Sequence, residues 1–95
     1  MIRKARVDGN QPEIVKQLRK VGVTVLHVHQ LKNCFDILCG YNGVNYAFEI
    51  KDPAQPKSAR KLTEGEQRFF DTWKGQVHKV ETIDDILKVI NLRIN

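Results

Sequence analysis

The sequence predicts an α/β fold in the order α-β-β-β-α-β-α, with a central mixed sheet flanked by helices. Apolar residues recur with helical spacing in three segments, and short β-branched or alternating runs lie between those segments. A chain of 95 residues is long enough for one hydrophobic core. We therefore expect residues 1–95 to form a single domain.

The first half of the chain is expected to form one helix and three strands. Asn10 followed by Glu13 indicates a helix start, and Gly22 indicates its stop. Three short segments with the composition of β-strands follow the helix. A turn rich in glycine and asparagine separates the second segment from the third. The predicted strands are 23–28, 35–39 and 46–51.

An exposed loop is expected at 52–62, which carries two prolines and several cations. Thr63 and Glu66 then form the signature of a capping box that opens the second helix. This helix carries an aromatic stripe that favours packing in the core. The stripe is Phe69, Phe70 and Trp73.

The last predicted elements are a short strand at 77–80 and a third helix. Thr82 and Asp85 form a second capping-box signature before an apolar helical face. The third strand, second helix and fourth strand imply a crossover connection, which we expect to be right-handed.

The charge favours a polyanionic partner. Sixteen Lys and Arg residues against eleven Asp and Glu give a net charge of +5. No apolar run approaches a membrane span, and the N-terminal residues lack the apolar stretch of a signal peptide. We expect an intracellular protein without membrane contact. Cys34 and Cys39 are expected to be buried, reduced thiols.

Two neighbouring strands carry residues suited to metal chemistry. Strand periodicity puts Glu49 and Lys51 on one face, opposite Phe48 and Ile50. Asp36 lies in an otherwise apolar strand, where an uncompensated carboxylate is costly. Two carboxylates on adjacent strands suit Mg²⁺, which prefers oxygen ligands, and a metal ion with a lysine beside it suits phosphodiester hydrolysis. Equally compatible is a strand-capping Asp36 with an ordinary exposed Glu49–Lys51 pair.

The chain resembles the PD-(D/E)XK nuclease superfamily, and within it the small stand-alone virus-type replication-repair nuclease (VRR-NUC) domains of phages and bacteria. The resemblance spans nearly the whole chain. Its segments are DGNQPEIV, CFDILCG, YAFEIKD, LTEGEQRFF and VETIDDIL. One departure is Phe35, which stands where the superfamily motif has proline.

The resemblance implies a restriction-endonuclease-like core and a role for each matched residue. The metal-binding acids would be Asp36 and Glu49, with Mg²⁺ or Mn²⁺ as cofactor. The backbone carbonyl of Ile50 would be a further metal ligand, and Lys51 would be the catalytic lysine. The family's helix glutamine would be Gln67, whose position three residues before Phe70 favours a half-buried, site-facing side chain. The alternative is a solvated residue, which is usual for a glutamine one turn into a helix.

Glu13 is an outer candidate for metal binding, because it resembles the family's helix-one acid. The capping box with Asn10 explains the same residue equally well.

Basic residues near these motifs are candidates for DNA contact. The loop residues are Lys57, Arg60 and Lys61, and the N-terminal arm residues are Arg3, Lys4 and Arg6. A solvated charge run explains either group as well. His27 and His29 have a spacing compatible with metal ligation, but no neighbouring residues complete a zinc set.

These observations together predict a divalent-metal-dependent DNA endonuclease. The resemblance implies a homodimer that cuts branched DNA, as Holliday-junction resolvases do, in the cytoplasm of a bacterial or phage-infected cell. Two alternatives remain open. One is a nuclease of the same fold acting on linear ends, nicks, flaps or RNA, and the other is a non-catalytic nucleic-acid-binding module.

Overall fold

The computed structural model describes residues 9–92, in which three α-helices and a short 3₁₀ helix surround a four-stranded sheet. The α-helices are α1 (Gln11–Lys20), α2 (Glu64–Thr72) and α3 (Ile83–Ile90). The strands are β1 (Thr24–His27), β2 (Ile37–Tyr41), β3 (Val44–Ile50) and β4 (Val77–Val80). The predicted order α-β-β-β-α-β-α is confirmed. The predicted loop at 52–62 contains the 3₁₀ helix, Lys57–Arg60.

The sheet is mixed, and its strands lie in the order β1-β2-β3-β4. The β1–β2 and β2–β3 pairs are antiparallel, whereas β3 and β4 are parallel. A parallel pair needs a crossover connection, and the segment that contains α2 provides it. The predicted α/β class with a central mixed sheet is therefore confirmed.

A tight hairpin joins β2 to β3. Its two central residues, Asn42 and Gly43, have φ angles of 52° and 78°. Two positive φ angles are typical of the type I′ turn, whose twist matches that of paired strands. The turn is shorter than the predicted 40–45 segment, so both strands extend further toward it. At its other end β2 begins at Ile37, two residues later than predicted.

The hydrophobic core lies between one face of the sheet and the helices α1 and α3. Alternation along β3 directs Phe48 and Ile50 into this core, and both are fully buried. Residues of β2, β4 and the two helices complete the core. Among them are Ile14, Leu18, Ile37, Val80, Ile86 and Ile90.

The core prediction for the aromatic stripe of α2 is wrong. No residue of α2 is buried, and Trp73, directly after the helix, is 49% exposed. The Phe69 ring stacks on Trp73 with centroids 5.2 Å apart and also lies 5.9 Å from Phe35. These rings pack against one another at the surface, because α2 lies apart from the core that α1 and α3 form with the sheet.

The start of α1 differs from the predicted capping box. Asn10 occupies the N-cap position, but its side chain makes no capping hydrogen bond. The Asn10 amide donates instead to the carbonyl oxygens of Lys51 (3.2 Å) and Glu81 (2.9 Å). It thereby ties α1 to the ends of β3 and β4. Glu13 is exposed and accepts a hydrogen bond from Gln17.

The two capping boxes predicted for the other helices are confirmed. Thr63 with Glu66 opens α2, and Thr82 with Asp85 opens α3. In each box the threonine side chain accepts from the backbone N–H three residues on, and the acid accepts from the backbone of the threonine. Gly22 follows α1 with a φ of 91°, as a helix stop requires.

The two cysteines differ in burial. Cys39 lies in the core, and burial raises the pKa of its thiol to about 12. Cys34 is only half-buried, contrary to the prediction. Between residues 9 and 92, the longest helix has 10 residues, and none has the length and apolar character of a membrane span.

Candidate functional site

Three acids and a buried lysine are among the residues that line one cavity of about 520 Å³, at the end of the sheet where β2 begins and β3 ends. Asp36 immediately precedes β2, Glu49 lies near the end of β3, and Lys51 directly follows β3. Glu66 of α2 faces them from across the cavity. We call this cavity the central cleft. Strand alternation explains why Glu49 and Lys51 point here, since their neighbours Phe48 and Ile50 point into the core.

Glu49 and Lys51 form a buried pair rather than a surface pair. Their exposed fractions are 5% and 7%. The Lys51 Nζ atom lies 3.4 Å from Glu49 Oε2 and 2.9 Å from Glu66 Oε1. Exposed ion pairs on strands are common and contribute little, but burial of two ionisable side chains is costly without a specific arrangement. The ordinary exposed pair is therefore excluded.

Asp36 is held against β3 by hydrogen bonds at two points. Its Oδ2 atom accepts from the backbone N–H of Ile50 at 2.7 Å. Its own backbone N–H donates to the carbonyl oxygen of Phe48 at 2.9 Å. The first bond performs the strand-capping role, and it also holds the carboxylate beside Glu49 in the cleft. Capping by Asp36 and a functional role for it are thus compatible.

Three carboxyl groups and one buried lysine meet in the cleft. Burial, followed by the charges of Asp36 and Glu66, raises the pKa of Glu49 to about 9, although Lys51 acts in the opposite direction. Burial alone lowers the pKa of Lys51, but the hydrogen bond and charge of Glu66 and the charge of Glu49 raise it overall. Lys51 is the lysine that pairs with these carboxyl groups, whereas Lys32 and Lys61, which also line the cavity, are exposed. A further cation beside Glu49 would lower the pKa of its carboxyl group.

Glu66 is the residue of the cleft that the sequence prediction missed. Its Oε1 atom accepts from the backbone N–H of Thr63 and from Lys51 Nζ, both at 2.9 Å. Burial raises the pKa of Glu66, but these two hydrogen bonds lower it below its ordinary value. The sequence predicted Glu66 as part of the capping box with Thr63. Because that role explained the residue, nothing in the sequence indicated a second role in the cleft. Its second partner depends on how α2 lies against the end of β3.

Two predicted site residues lie outside the cleft. Gln67 is exposed, and its side chain donates to Asp71 at 2.8 Å along the helix. The expectation of a half-buried, site-facing Gln67 is therefore wrong. Glu13 is exposed on α1 and does not line the cleft.

The predicted basic residues occupy different positions. Lys61 lines the central cleft, as does Lys32 from the turn before β2. Arg60 forms an ion pair with Glu81 at 3.3 Å, and Lys57 is exposed outside the cleft. The arm residues lie outside the described part of the chain. These are Arg3, Lys4 and Arg6.

The donor set of the cleft fits a small divalent cation. Carboxylate oxygens of Asp36 and Glu49 line the same cavity, and the Ile50 backbone is hydrogen-bonded to one of them. Oxygen donors of this kind suit Mg²⁺ and Mn²⁺, which complete their coordination with water. Within residues 9–92, no three His, Cys, Asp or Glu side chains are grouped so as to hold a metal ion. A metal here would therefore depend on two carboxylates, the backbone and water.

Comparison of the chain with protein-family models found no matching family, and comparison with curated proteins found no match either. The functional interpretation therefore rests on the geometry of the central cleft.

Proposed function

We propose that this protein is a divalent-metal-dependent DNA endonuclease that hydrolyses phosphodiester bonds in the central cleft. The observation that carries the proposal is the cluster of the half-buried Asp36 with the buried Glu49 and Lys51. Burial of an acid and a lysine is costly in a small domain, so their presence in a cavity favours a functional explanation. The positive net charge favours a polyanionic substrate.

Each residue of the cleft has a distinct role in the proposed reaction. Asp36 and Glu49 would hold Mg²⁺ or Mn²⁺ with the Ile50 carbonyl. The bound ion would supply charge neutralisation and a more acidic water molecule. Lys51 orients the attacking water or stabilises the negative charge that develops on the phosphate. Glu66 accepts a hydrogen bond from Lys51 and so positions its ammonium group.

Cations at the mouth of the cleft support DNA as the substrate. Lys32 and Lys61 both line the cavity and are exposed, so they are available to phosphates on either side of the scissile bond. Arg60 is less suited to this role, because its guanidinium group pairs with Glu81. Lys57 and the arm residues Arg3, Lys4 and Arg6 remain candidates for more distant phosphates.

The proposal includes branched DNA as the substrate and a homodimer as the active form. One small domain provides one cleft, so paired cuts in two strands require two copies related by symmetry. Sedimentation of the protein with and without a four-way junction tests this part separately. A protein that sediments as a monomer in both conditions would contradict the homodimer but would leave the proposed cleavage of a single strand intact.

The test of the proposal is cleavage of a labelled four-way junction and a linear duplex of the same sequence in Mg²⁺, Mn²⁺ and EDTA. We expect cleavage that requires metal and is abolished in Asp36→Asn. The matched control is Asp84→Asn, which removes an exposed carboxylate from α3 and should retain full activity. Equal cleavage of the junction and the linear duplex would support the nuclease activity but would contradict a preference for junctions.

The second candidate function is a non-catalytic nucleic-acid-binding module, which the net charge and the exposed lysines favour. It predicts DNA binding that persists in EDTA, with no cleavage in either metal. It leaves the buried pair of Glu49 and Lys51 without a function. Binding without cleavage, in a protein shown to be folded, would replace the nuclease with this module.

A further inference from the structure

A second cavity, of about 710 Å³, lies between α1 and the end of β1. We call it the α1 cavity. Its volume is within the range of about 300–1,000 Å³ that is usual for small-ligand pockets. The nuclease mechanism proposed for the central cleft makes no use of it.

A buried amide lines the α1 cavity. Gln11 is only 1% exposed, and its Nε2 atom lies 3.4 Å from His27 Nδ1. Its Oε1 atom has no hydrogen-bond partner among the residues that the structure describes. A buried carbonyl oxygen without a partner destabilises a fold, so a ligand that donates a hydrogen bond to it would be stabilising. An amide of this kind can both donate to and accept from the edge of a nucleobase.

Two imidazole rings form another wall. His27 and His29 are in edge contact, with centroids 5.6 Å apart and an interplanar angle of 81°. Burial, followed by the charges of Arg19 and His29, lowers the pKa of His27. The lowered pKa favours the neutral form of the His27 ring, which provides a flat surface on which a base can stack.

The remaining wall is basic. Lys16, Arg19 and Lys20 project from α1 and line the cavity, and no acidic residue is among its lining residues. The buried Val15 also lines the cavity, and the three basic residues are exposed. An apolar wall with cations above it suits a nucleotide, which combines an apolar base with an anionic phosphate.

The α1 cavity adjoins the central cleft. His29 lines both cavities and therefore marks their common border. A DNA strand whose phosphate lies at Asp36 and Glu49 would pass His29 within a short distance. In a duplex the base faces are stacked and cannot enter a concave pocket, whereas an unpaired base can.

We propose that the α1 cavity binds an unpaired nucleotide of the DNA strand that enters the central cleft. The base lies against His27 and His29 and hydrogen-bonds to Gln11, while Lys16 and Lys20 contact the flanking phosphates. The identity of the strand rests on the proposed nuclease function, but binding itself needs neither metal nor cleavage. Binding in this pocket would favour DNA that contains unpaired nucleotides over fully paired DNA.

Histidine-ring NMR of the whole chain in EDTA tests the proposal directly. The chain has three histidines, and His78 on β4 lies outside both cavities, so it serves as an internal control. We expect a short single-stranded oligothymidylate to shift the ring signals of His27 and His29 but not those of His78. A blunt duplex should leave all three unchanged. Absence of the His27 and His29 shifts, or equal shifts with the duplex, would overturn the proposal.

A double variant that removes two positive charges tests the phosphate contacts. Lys16→Gln with Lys20→Gln should weaken binding of the oligothymidylate and reduce its salt dependence. Two lost contacts to a single strand lower the slope of log K against log salt concentration by about 1.4. The matched control, Lys74→Gln with Lys88→Gln, removes the same charge from exposed positions outside the cavity and should retain the slope. An equal loss of oligothymidylate binding in both double variants would indicate general electrostatic attraction and would overturn the proposed nucleotide site.

The outcomes separate this inference from the proposed function. Metal-dependent cleavage without shifts of His27 and His29 would remove the nucleotide site and keep the nuclease. Shifts of both rings without cleavage in Mg²⁺ or Mn²⁺ would keep the nucleotide site in a binding module.

Discussion

Replacement of Lys51 by methionine is expected to destabilise the metal-free protein by about 3 kcal/mol, because it leaves buried carboxylates without their cation. Lys51 Nζ lies 2.9 Å from Glu66 and 3.4 Å from Glu49. At an effective dielectric constant of about 20, the distance to Glu66 corresponds to an attraction of roughly 6 kcal/mol before desolvation is subtracted. Glu49, whose pKa is raised to about 9, is mostly protonated at neutral pH and adds less. Removal of one partner of a buried pair costs about 3–5 kcal/mol, and the opening of the cleft to solvent favours the lower end.

Urea unfolding in EDTA at neutral pH measures this loss, and a double-mutant cycle assigns it. The cycle uses Lys51→Met, Glu66→Gln and the two together. Glutamine retains an oxygen for the backbone N–H of Thr63, so the helix cap survives in Glu66→Gln. We expect the double variant to be more stable than the sum of the single losses implies, by at least about 1 kcal/mol.

The control for this cycle is an ion pair of similar length at the surface. Arg68 lies 3.2 Å from Glu64, and these side chains are 70% and 91% exposed. Arg68→Met should change the free energy of unfolding by less than about 0.5 kcal/mol. A loss for Lys51→Met no larger than that for Arg68→Met would refute the reasoning, since it would mean that the cleft does not desolvate its ion pairs.

Two further predictions concern metal binding and pH. Mg²⁺ or Mn²⁺ at ten times its dissociation constant should stabilise the fold by about 1.4 kcal/mol, and an equal thermal shift in Asp36→Asn would remove Asp36 from the metal site. Hydrogen bonds from the backbone N–H groups of Glu81 and Thr82, at 2.9 and 3.1 Å, hold the pKa of Asp85 below its ordinary value. Its stabilising effect is therefore present above the pKa of the unfolded chain and is lost as pH falls through the lower folded-state pKa. Urea unfolding over a pH series should show Asp85→Asn as less stable than wild type at neutral pH and equal to it in acid, and a difference independent of pH would contradict this assignment.

Interactions between residues close in the chain made much of the fold predictable. The capping boxes of α2 and α3 span three residues, and the alternation that separates Glu49 from Phe48 needs only neighbouring positions. The same alternation predicted that Glu49 and Lys51 share a face. It carried no information on their burial, which depends on α2 and the segment before β2.

The misassigned residues have partners far away in the chain. The amide of Asn10 was available for a local cap, but it donates to the carbonyl of Glu81, 71 residues away. Glu66 forms the predicted cap and also accepts from Lys51, 15 residues before it. The aromatic stripe of α2 has the spacing of a core face, yet its rings pack near the surface.

The sequence by itself determined the order of the helices and strands, the caps of α2 and α3, and the phase of Glu49 and Lys51. Each of these depends on backbone geometry that repeats within two to four residues. Only the tertiary structure decided that Glu66 joins the ion pair, that Gln67 faces solvent, and that a second cavity adjoins the cleft. These features depend on which surfaces of α1 and α2 meet the sheet, and the packing of the whole core selects those surfaces.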